Sequence, residues 1–269
     1  MNFSVLMSLY IKEKPEYLHE CLKSLYEQTK QADEIVLVYD GPITNELDKV
    51  VNYWLNSLPI KIIKLSKNVG LGQALNKGLA QCENDYVARM DTDDICHPKR
   101  FEIQIDFLNK NKNISVVGSY IEEFAETIEN RLSQKIVPTT HNEIMKNIGK
   151  RNPFNHMTVV FNKSEIIKVG GYEHHYLMED YNLWLRLLKN NIQAANLPLT
   201  LVYARGGDGM IYRRSGLRYI KSEYKLYKLK QRLGYQNYII SSLVFFLRSV
   251  PRVFPPYILK AIYRFLRKK

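Results

Sequence analysis

Apolar residues in the first third of the chain alternate between short continuous runs and stretches with helical spacing. The continuous runs have the length of strands and are rich in β-branched residues. They read FSVLMSLY, EIVLVYD, IKIIKL and DYVARM, and the amphipathic stretches between them include LGQALNKGLAQC. Strands that alternate with helices in this way predict a parallel sheet with right-handed crossovers and helices on both faces.

The rest of the chain has a less regular pattern. After a helix begun by Pro98, we predict strands near 114–121 and 156–161, a helix near 180–190, and irregular loops. No internal repeat or low-complexity linker divides the chain. We therefore predict one α/β body over residues 1–215, with halves at 1–110 and 111–215, and a helical tail over 216–269.

Three carboxylates follow the fourth apolar run. Asp91, Asp93 and Asp94 fall within four consecutive positions, and Asp40 ends the second run. Because the carboxyl ends of parallel strands share one edge of a sheet, we expect all four near one crevice. The triplet fits either a solvated turn that caps a helix or a hard-cation site for Mg²⁺ or Mn²⁺. Asp40, in Asp-Gly-Pro, also fits an ordinary turn.

Three further segments each allow two interpretations. The glycine-rich segment 67–79 fits an anion site made of backbone amides, or close packing of a helix on the sheet. Glu179 and Asp180 suit the first turn of a helix, and a carboxylate there also suits a general base. The segment 204–216 contains arginines that fit a pyrophosphate, solvent or lipid headgroups; they are Arg205, Arg213 and Arg214.

Charge is distributed unevenly along the chain. Lys and Arg outnumber Asp and Glu by 39 to 27, a net charge of +12. Residues 211–269 contain 15 basic residues and a single acid, Glu223, whereas the preceding 210 residues contain 24 basic and 26 acidic residues. The body is therefore close to neutral and the tail is strongly cationic.

The tail predicts contact with a membrane surface. In YILKAIYRFLRKK, basic and apolar residues fall on opposite sides of a helix, which is typical of a segment that lies on an anionic leaflet. A helix packed on the domain with a solvated basic side is the alternative. No run approaches the roughly 20 apolar residues that a spanning helix needs. The cysteine pattern and the absence of a cationic leader predict a cytoplasmic protein.

The order of these motifs resembles that of the family 2 inverting glycosyltransferases with the GT-A fold. An acid after the second strand, Asn-x-Gly before a helix, Asp-x-Asp-Asp after the fourth strand, and Glu-Asp before a Trp-bearing helix carry the resemblance, which covers residues 3–215. The chain is similar to bacterial enzymes that build O-antigen and exopolysaccharide units, including the amylovoran type. It differs in having no Pro-x-Tyr-Asn after the first strand.

The resemblance implies a role for each matching residue. A nucleobase would be held by Asp40 and by the loop after the first strand, which comprises Ser8, Leu9 and Tyr10. The remaining nucleotide-sugar site would comprise Asn68, Gly70, Gly72, Asn76, Asp91 and Arg213. Asp93 would ligate the metal, Asp180 would act as the catalytic base, and His156 and Glu179 would lie on the acceptor side.

The resemblance also implies an activity. It predicts metal-dependent, inverting transfer from a UDP-sugar, with Mn²⁺ or Mg²⁺ as cofactor. The acceptor would be a saccharide on a lipid carrier of the undecaprenyl diphosphate type, at the inner face of the bacterial plasma membrane. A homodimer is compatible with this prediction, and no nucleic acid is expected as a partner.

Two other classes of protein fit parts of the sequence. The basic, Tyr-rich tail suits a nucleic-acid-binding protein, but no RRM, KH, helix-turn-helix or zinc signature is present. Asp-x-Asp at a strand end suits a metal-dependent phosphatase, but that chemistry places its nucleophilic Asp on the first strand, and FSVLMSLY contains none.

Overall fold

The structure, a computed structural model, describes residues 1–206 and 214–254. The strands are β1 (Phe3–Leu9), β2 (Glu34–Tyr39), β3 (Ile60–Lys64), β4 (Tyr86–Arg89), β5 (Ile95–Cys96), β6 (Ile114–Phe124), β7 (Arg131–Lys135), β8 (Val160–Asn162) and β9 (Gln193–Arg205). The helices are α1 (Pro15–Tyr26), α2 (Asn45–Trp54), α3 (Leu71–Leu79), α4 (Arg100–Lys110), α5 (His141–Ile148), α6 (Lys163–Lys168), α7 (Glu179–Leu188), α8 (Gly216–Arg232) and α9 (Tyr238–Ser249). Short 3₁₀ helices lie at His156–Thr158 and Val250–Val253.

The strands form one mixed sheet in the order β3-β2-β1-β4-β8-β6-β9-β5, and β7 pairs with β6. The first four strands in this order are parallel, as the alternating pattern predicts. β8 pairs antiparallel with both β4 and β6, and β6 pairs parallel with β9. The carboxyl ends of β1, β2 and β4 therefore meet at one edge, which positions the candidate site.

Apolar side chains fill two layers, one on each face of the sheet. One layer packs α1, α2 and α4 against the sheet, and the other packs α3, α5 and α7. Successive residues of β1 show the alternation, since Val5 belongs to the first layer and Leu6 to the second. Helix α8 also belongs to the second layer, where Leu226 and Leu229 are buried.

The glycines of segment 67–79 have different structural roles. A Cβ on Gly78 would lie 2.5 Å from a methyl group of Leu6, so this glycine allows α3 to approach the sheet. Gly70 has a φ of +86° with open space around it, and a Cβ on Gly72 would face Tyr172 and Glu179 at 3.3 Å. Close packing on the sheet is therefore the wrong explanation for Gly70 and Gly72.

Helix α9 exposes apolar side chains and packs with small polar ones. Ser241 and Ser249 are buried, and Ser242 lies 3.2 Å from the Tyr227 hydroxyl of α8. The opposite side has relative exposures of 45 to 77% and consists of Ile239, Ile240, Leu243, Phe246, Leu247 and Val250. We call these six residues the apolar face of α9. In the described part of the chain, no helix is both long and apolar enough to cross a bilayer.

Candidate active site

The acidic triplet forms a compact cluster just beyond β4. One carboxylate oxygen from each of Asp91, Asp93 and Asp94 lies within 4.8 Å of the others. Asp94 is only 3% exposed, and its Oδ1 accepts the backbone N–H of Arg205 at 2.9 Å. Its Oδ2 is buried and accepts no hydrogen bond within the described residues. A solvated turn is therefore the wrong description of this cluster.

Electrostatics in the cluster fit a bound cation. Burial, followed by the charges of Asp91 and Glu13, raises the pKa of Asp93 to about 7. Burial and the neighbouring carboxylates also raise the pKa of Asp94. Such shifts indicate that negative charge is crowded in a poorly solvated place, and a hard divalent cation relieves this with oxygen ligands. The residues present therefore fit Mg²⁺ or Mn²⁺.

A buried arginine that we did not predict as a site residue lies beside the cluster. Arg89, the last residue of β4, is 1% exposed, and its Nη1 lies 2.5 Å from Oδ1 of Asp91. The ion pair lacks hydrogen-bond geometry, and neither Nε nor Nη1 has a hydrogen-bond partner in the described part of the chain. Burial lowers the pKa of Arg89, but Asp91, Tyr172 and Asp94 together raise it above its usual value, so the guanidinium stays charged. Arg89 thus supplies a positive charge beside the triplet.

Asp40 fastens the loop that leads into α3. Its carboxylate accepts the backbone N–H groups of Val69 at 2.6 Å and Gly70 at 3.0 Å, and Nδ2 of Asn68 donates to its carbonyl oxygen at 3.2 Å. Gly41 allows this approach, because at φ +88° a Cβ would lie 2.6 Å from the nitrogen of Asn68. The backbone amides of Val69 and Gly70, which we considered for an anionic ligand, therefore bind the carboxylate of Asp40 instead.

The other residues predicted to bind the nucleobase surround the end of β1. Ser8 and Leu9 lie within the strand, so the prediction that they form a loop after it is wrong. The side chain of Leu9 is buried in the core, and its carbonyl oxygen accepts the N–H of Asp40 at 2.7 Å. Tyr10 is exposed at the strand end. Contact of these residues with a nucleobase stays a prediction.

Asn76 joins α3 to the second half of the body, residues 111–215. Its Nδ2 donates to the carbonyl oxygen of Tyr172 at 2.7 Å, and its Oδ1 accepts the N–H of the same residue at 2.8 Å. Gly171, at φ +66°, leaves room for this contact, since a Cβ would lie 2.5 Å from that Oδ1. Asn76, predicted to line the donor site, therefore also fixes the relative position of the two halves.

Helix α7 begins with the two predicted acids. Nδ2 of Asn152 donates to Oδ2 of Asp180 at 2.6 Å, while Oδ1 of Asp180 accepts no hydrogen bond from the described residues. Burial, followed by the charge of Asp180, raises the pKa of Glu179 to about 7. Asp180 thus has one oxygen held and one oxygen available, which is the arrangement that a general base requires.

His156 lies against this end of α7. Its Nε2 is 2.8 Å from the hydroxyl of Tyr172, and its ring contacts Trp184 at a centroid distance of 6.2 Å. Burial, followed by the charge of Arg89, lowers the pKa of His156 well below its usual value. The imidazole is therefore neutral at pH 7 and suits hydrogen bonding rather than charge pairing.

Comparison with known proteins identifies the family. The family model for glycosyl transferase family 2 matches residues 4–174. The chain belongs to glycosyl transferase family 2. It is 48% identical to the amylovoran biosynthesis glycosyltransferase AmsE of Erwinia amylovora over 99% of both chains. It is 42% identical to the UDP-Gal:alpha-D-GlcNAc-diphosphoundecaprenol beta-1,3-galactosyltransferase of Escherichia coli, over 98% of this chain and 97% of that protein.

Solved structures confirm the predicted GT-A fold of this family 2 glycosyltransferase. S. aureus TarS 1–349 in complex with UDP-GlcNAc has a TM-score of 0.68 at 19% identity, covering 91% of this chain and 70% of that one. The mannosyltransferase PcManGT from Pyrobaculum calidifontis, in complex with GDP-Man and Mn²⁺, has a TM-score of 0.64 at 15% identity, covering all of this chain and 81% of that one. The family match favours the glycosyltransferase interpretation of the sequence over the phosphatase and nucleic-acid-binding alternatives.

Arg205, in segment 204–216 of this glycosyltransferase, is held by contacts within the protein. Arg205 donates from Nε to the carbonyl oxygen of Asp93 at 3.1 Å and pairs with Glu20. Its guanidinium also stacks on the ring of Tyr17, 3.8 Å from the centroid. The interpretation of Arg205 as a free ligand for pyrophosphate is therefore wrong. Arg213, predicted to bind the donor, lies outside the described residues, as do residues 255–269 of the basic tail.

Proposed function

We propose that this family 2 glycosyltransferase moves a sugar from a UDP-sugar to a lipid-linked saccharide during synthesis of a bacterial O-antigen or exopolysaccharide. The observation that carries this proposal is the carboxylate cluster of Asp91, Asp93 and Asp94 at the carboxyl end of β4, which fits a divalent cation. The galactosyltransferase of E. coli, whose name specifies UDP-Gal and a diphosphoundecaprenol acceptor, supports the classes of donor and acceptor.

Asp93 and its neighbours would hold Mn²⁺ or Mg²⁺ in this site. When bound, such an ion offsets the negative charge that develops on a departing nucleoside diphosphate. Arg89 orients Asp91 through their 2.5 Å ion pair. Asp91 is then available to accept hydrogen bonds from ribose or sugar hydroxyl groups, which is the role that the resemblance implies.

Asp180 would take the proton from the acceptor hydroxyl. The hydrogen bond from Asn152 orients the carboxylate and leaves Oδ1 available for that hydroxyl. The deprotonating oxygen attacks the anomeric carbon from the face opposite the nucleotide, the bond to the diphosphate breaks, and the configuration at that carbon inverts. Neutral His156, hydrogen-bonded to Tyr172, can orient the acceptor sugar without adding charge.

Calorimetric titration of UDP-sugars in the presence of Mn²⁺ tests the donor assignment. We expect at least one UDP-sugar to bind in a metal-dependent manner, and EDTA to abolish the heat of binding. UDP-galactose and UDP-N-acetylglucosamine are the first candidates, because related or structurally similar proteins are named with these sugars or complexed with them. If none of the UDP-sugars binds while a GDP-sugar does, the proposed donor class is wrong.

The apolar face of α9 supports peripheral attachment to a membrane. Six large apolar side chains are exposed along one side of this helix. Glu223, the single acid in residues 214–254, is buried and receives three hydrogen bonds from the Arg248 guanidinium. Exposed cations recur along α8 at Arg218, Lys221, Lys225, Lys228 and Arg232. An apolar face flanked by uncompensated cations suits the interface of an anionic bilayer.

Substitution of the apolar face should weaken binding to vesicles. We expect Leu243→Glu combined with Phe246→Glu to lower partitioning onto phosphatidylglycerol-rich vesicles by about tenfold or more, because two exposed apolar side chains would become anionic. Cosedimentation measures the bound fraction. Leu132→Glu combined with Ile167→Glu, which changes two similarly exposed apolar residues elsewhere, should have little effect. Equal partitioning of both double variants would show that α9 does not contact the membrane.

A further inference from the structure

The loop between α5 and Asn152 carries two free cations next to the proposed base. Lys150 and Arg151 are both exposed, and neither side chain has an ion-pair partner among the described residues. The next residue, Asn152, donates its hydrogen bond to Asp180. Consecutive Cα atoms are about 3.8 Å apart, so the Cα atoms of Lys150 and Arg151 lie within about 8 Å of that of Asn152. Residues 148–155 contain no acid that would neutralise them.

This loop is fixed on both sides by packing and hydrogen bonds. A Cβ on Gly149 would lie 2.7 Å from the side chain of Gln236, so the loop lies close against the connection between α8 and α9. Nη1 of Arg248, in α9, donates to the carbonyl oxygen of Lys150 at 3.3 Å. The backbone that presents the two cations therefore links the start of α7 to the helix with the apolar face.

The order of chemical groups along this surface matches that of a lipid-linked sugar diphosphate. A carboxylate suited to a sugar hydroxyl is followed by two cations, and the cations are followed by exposed hydrocarbon side chains on α9. A sugar joined through a diphosphate to a long hydrocarbon chain presents its groups in the same order. Guanidinium and ammonium groups are strong donors to phosphate oxygens, and Arg can bind two of them at once.

We propose that Lys150 and Arg151 bind the diphosphate of a lipid-linked acceptor, between the sugar at Asp180 and the hydrocarbon chain at the apolar face of α9. This inference rests on the proposed function. When one sugar separates the attacked hydroxyl from the diphosphate, the phosphate oxygens must lie within a sugar's length of Asp180. Lys150 and Arg151 directly precede Asn152, which contacts Asp180. The pair then distinguishes acceptors that carry a diphosphate from neutral glycosides of the same sugar.

Acceptor kinetics with the full chain test the proposal. The probes are N-acetylglucosamine diphosphate esterified with a short alkyl chain, and the alkyl glycoside of N-acetylglucosamine without phosphate, both in neutral detergent. We expect Lys150→Ala combined with Arg151→Ala to raise KM for the diphosphate acceptor by about tenfold or more, through the loss of two charge-assisted contacts. KM for the glycoside and the hydrolysis of the UDP-sugar without acceptor should change by less than about twofold.

A matched double variant and the assay conditions distinguish diphosphate binding from a general effect of charge and from binding of lipid headgroups. Lys110→Ala combined with Lys112→Ala removes two exposed cations before β6, at the opposite edge of the sheet, and should leave both acceptors unaffected. An unchanged KM for the diphosphate acceptor, or an equal loss with the glycoside, would overturn the proposal. An effect seen only when anionic vesicles are added would assign the cations to lipid headgroups and also overturn it. Absence of sugar transfer to either acceptor by the unmodified protein would instead contradict the proposed function.

Discussion

Replacement of Asp93 by alanine is expected to abolish metal-dependent binding of UDP-sugars. The substitution removes one of three carboxylates whose oxygens lie within 4.8 Å of one another. We expect the dissociation constant of the donor with Mn²⁺ to rise by about 100-fold or more, because the remaining carboxylates are engaged by Arg89 and by the Arg205 amide. Calorimetry with and without Mn²⁺ measures the change.

The pH dependence of the same titration gives an independent signature. In the absence of metal the pKa of Asp93 is about 7, so protons compete with the cation for this carboxylate. Metal affinity of the unmodified protein should therefore increase as the pH rises from 6 to 8, since deprotonation exposes the ligand. The Asp93→Ala variant should lose this part of the dependence. Asp106→Ala, at an exposed position of α4, serves as the control, and an unchanged donor affinity in Asp93→Ala would refute the metal site.

Replacement of Asp180 by asparagine is expected to leave donor binding intact while transfer is lost. An asparagine oxygen can still accept the hydrogen bond that Asn152 donates at 2.6 Å, so the local geometry should persist. The amide cannot take a proton from the acceptor hydroxyl, and removal of a general base typically costs about 10²- to 10⁴-fold in rate. We therefore expect kcat to fall by about that factor with an unchanged dissociation constant for the UDP-sugar.

The control for this experiment is a nearby acid outside the proposed chemistry. Glu173, about half exposed, pairs with Arg186 at 3.6 Å, and Glu173→Gln should retain nearly full turnover. If Asp180→Asn transfers sugar at the unmodified rate, the base must be another residue. If it loses donor binding as well, Asp180 contributes to donor binding rather than to proton transfer alone.

Hydrophobic periodicity predicted the parallel half of the sheet and failed for part of the mixed half. The first four strands are short, predominantly apolar runs, each paired in parallel within one unbroken register. Strand β9 contains Pro198, and its register against β6 shifts where Leu197 pairs with Ser119 and Thr200 with Tyr120. This irregularity leaves Leu199 exposed and breaks the period-two pattern, so the segment resembles a loop in sequence.

The candidate site could be predicted only where function depends on neighbours in the sequence. Asp91, Asp93 and Asp94 are adjacent along the chain, so their clustering was visible before the fold was known. The contact between Asn152 and Asp180 joins residues 28 positions apart, and the contact between Asn76 and Tyr172 joins residues 96 positions apart. Arg89 could have been noticed as a cation that ends an apolar strand two residues ahead of Asp91.

Asn76 clasps the backbone of Tyr172 through two hydrogen bonds, and Gly171 fits beneath it with no space for a side chain. Sliding of α3 against the segment that leads into α7 would break both bonds at once. The separation between the end of β4 and the start of α7 is consequently established when the protein folds. The spacing between these two places is thus set in advance, before either substrate binds.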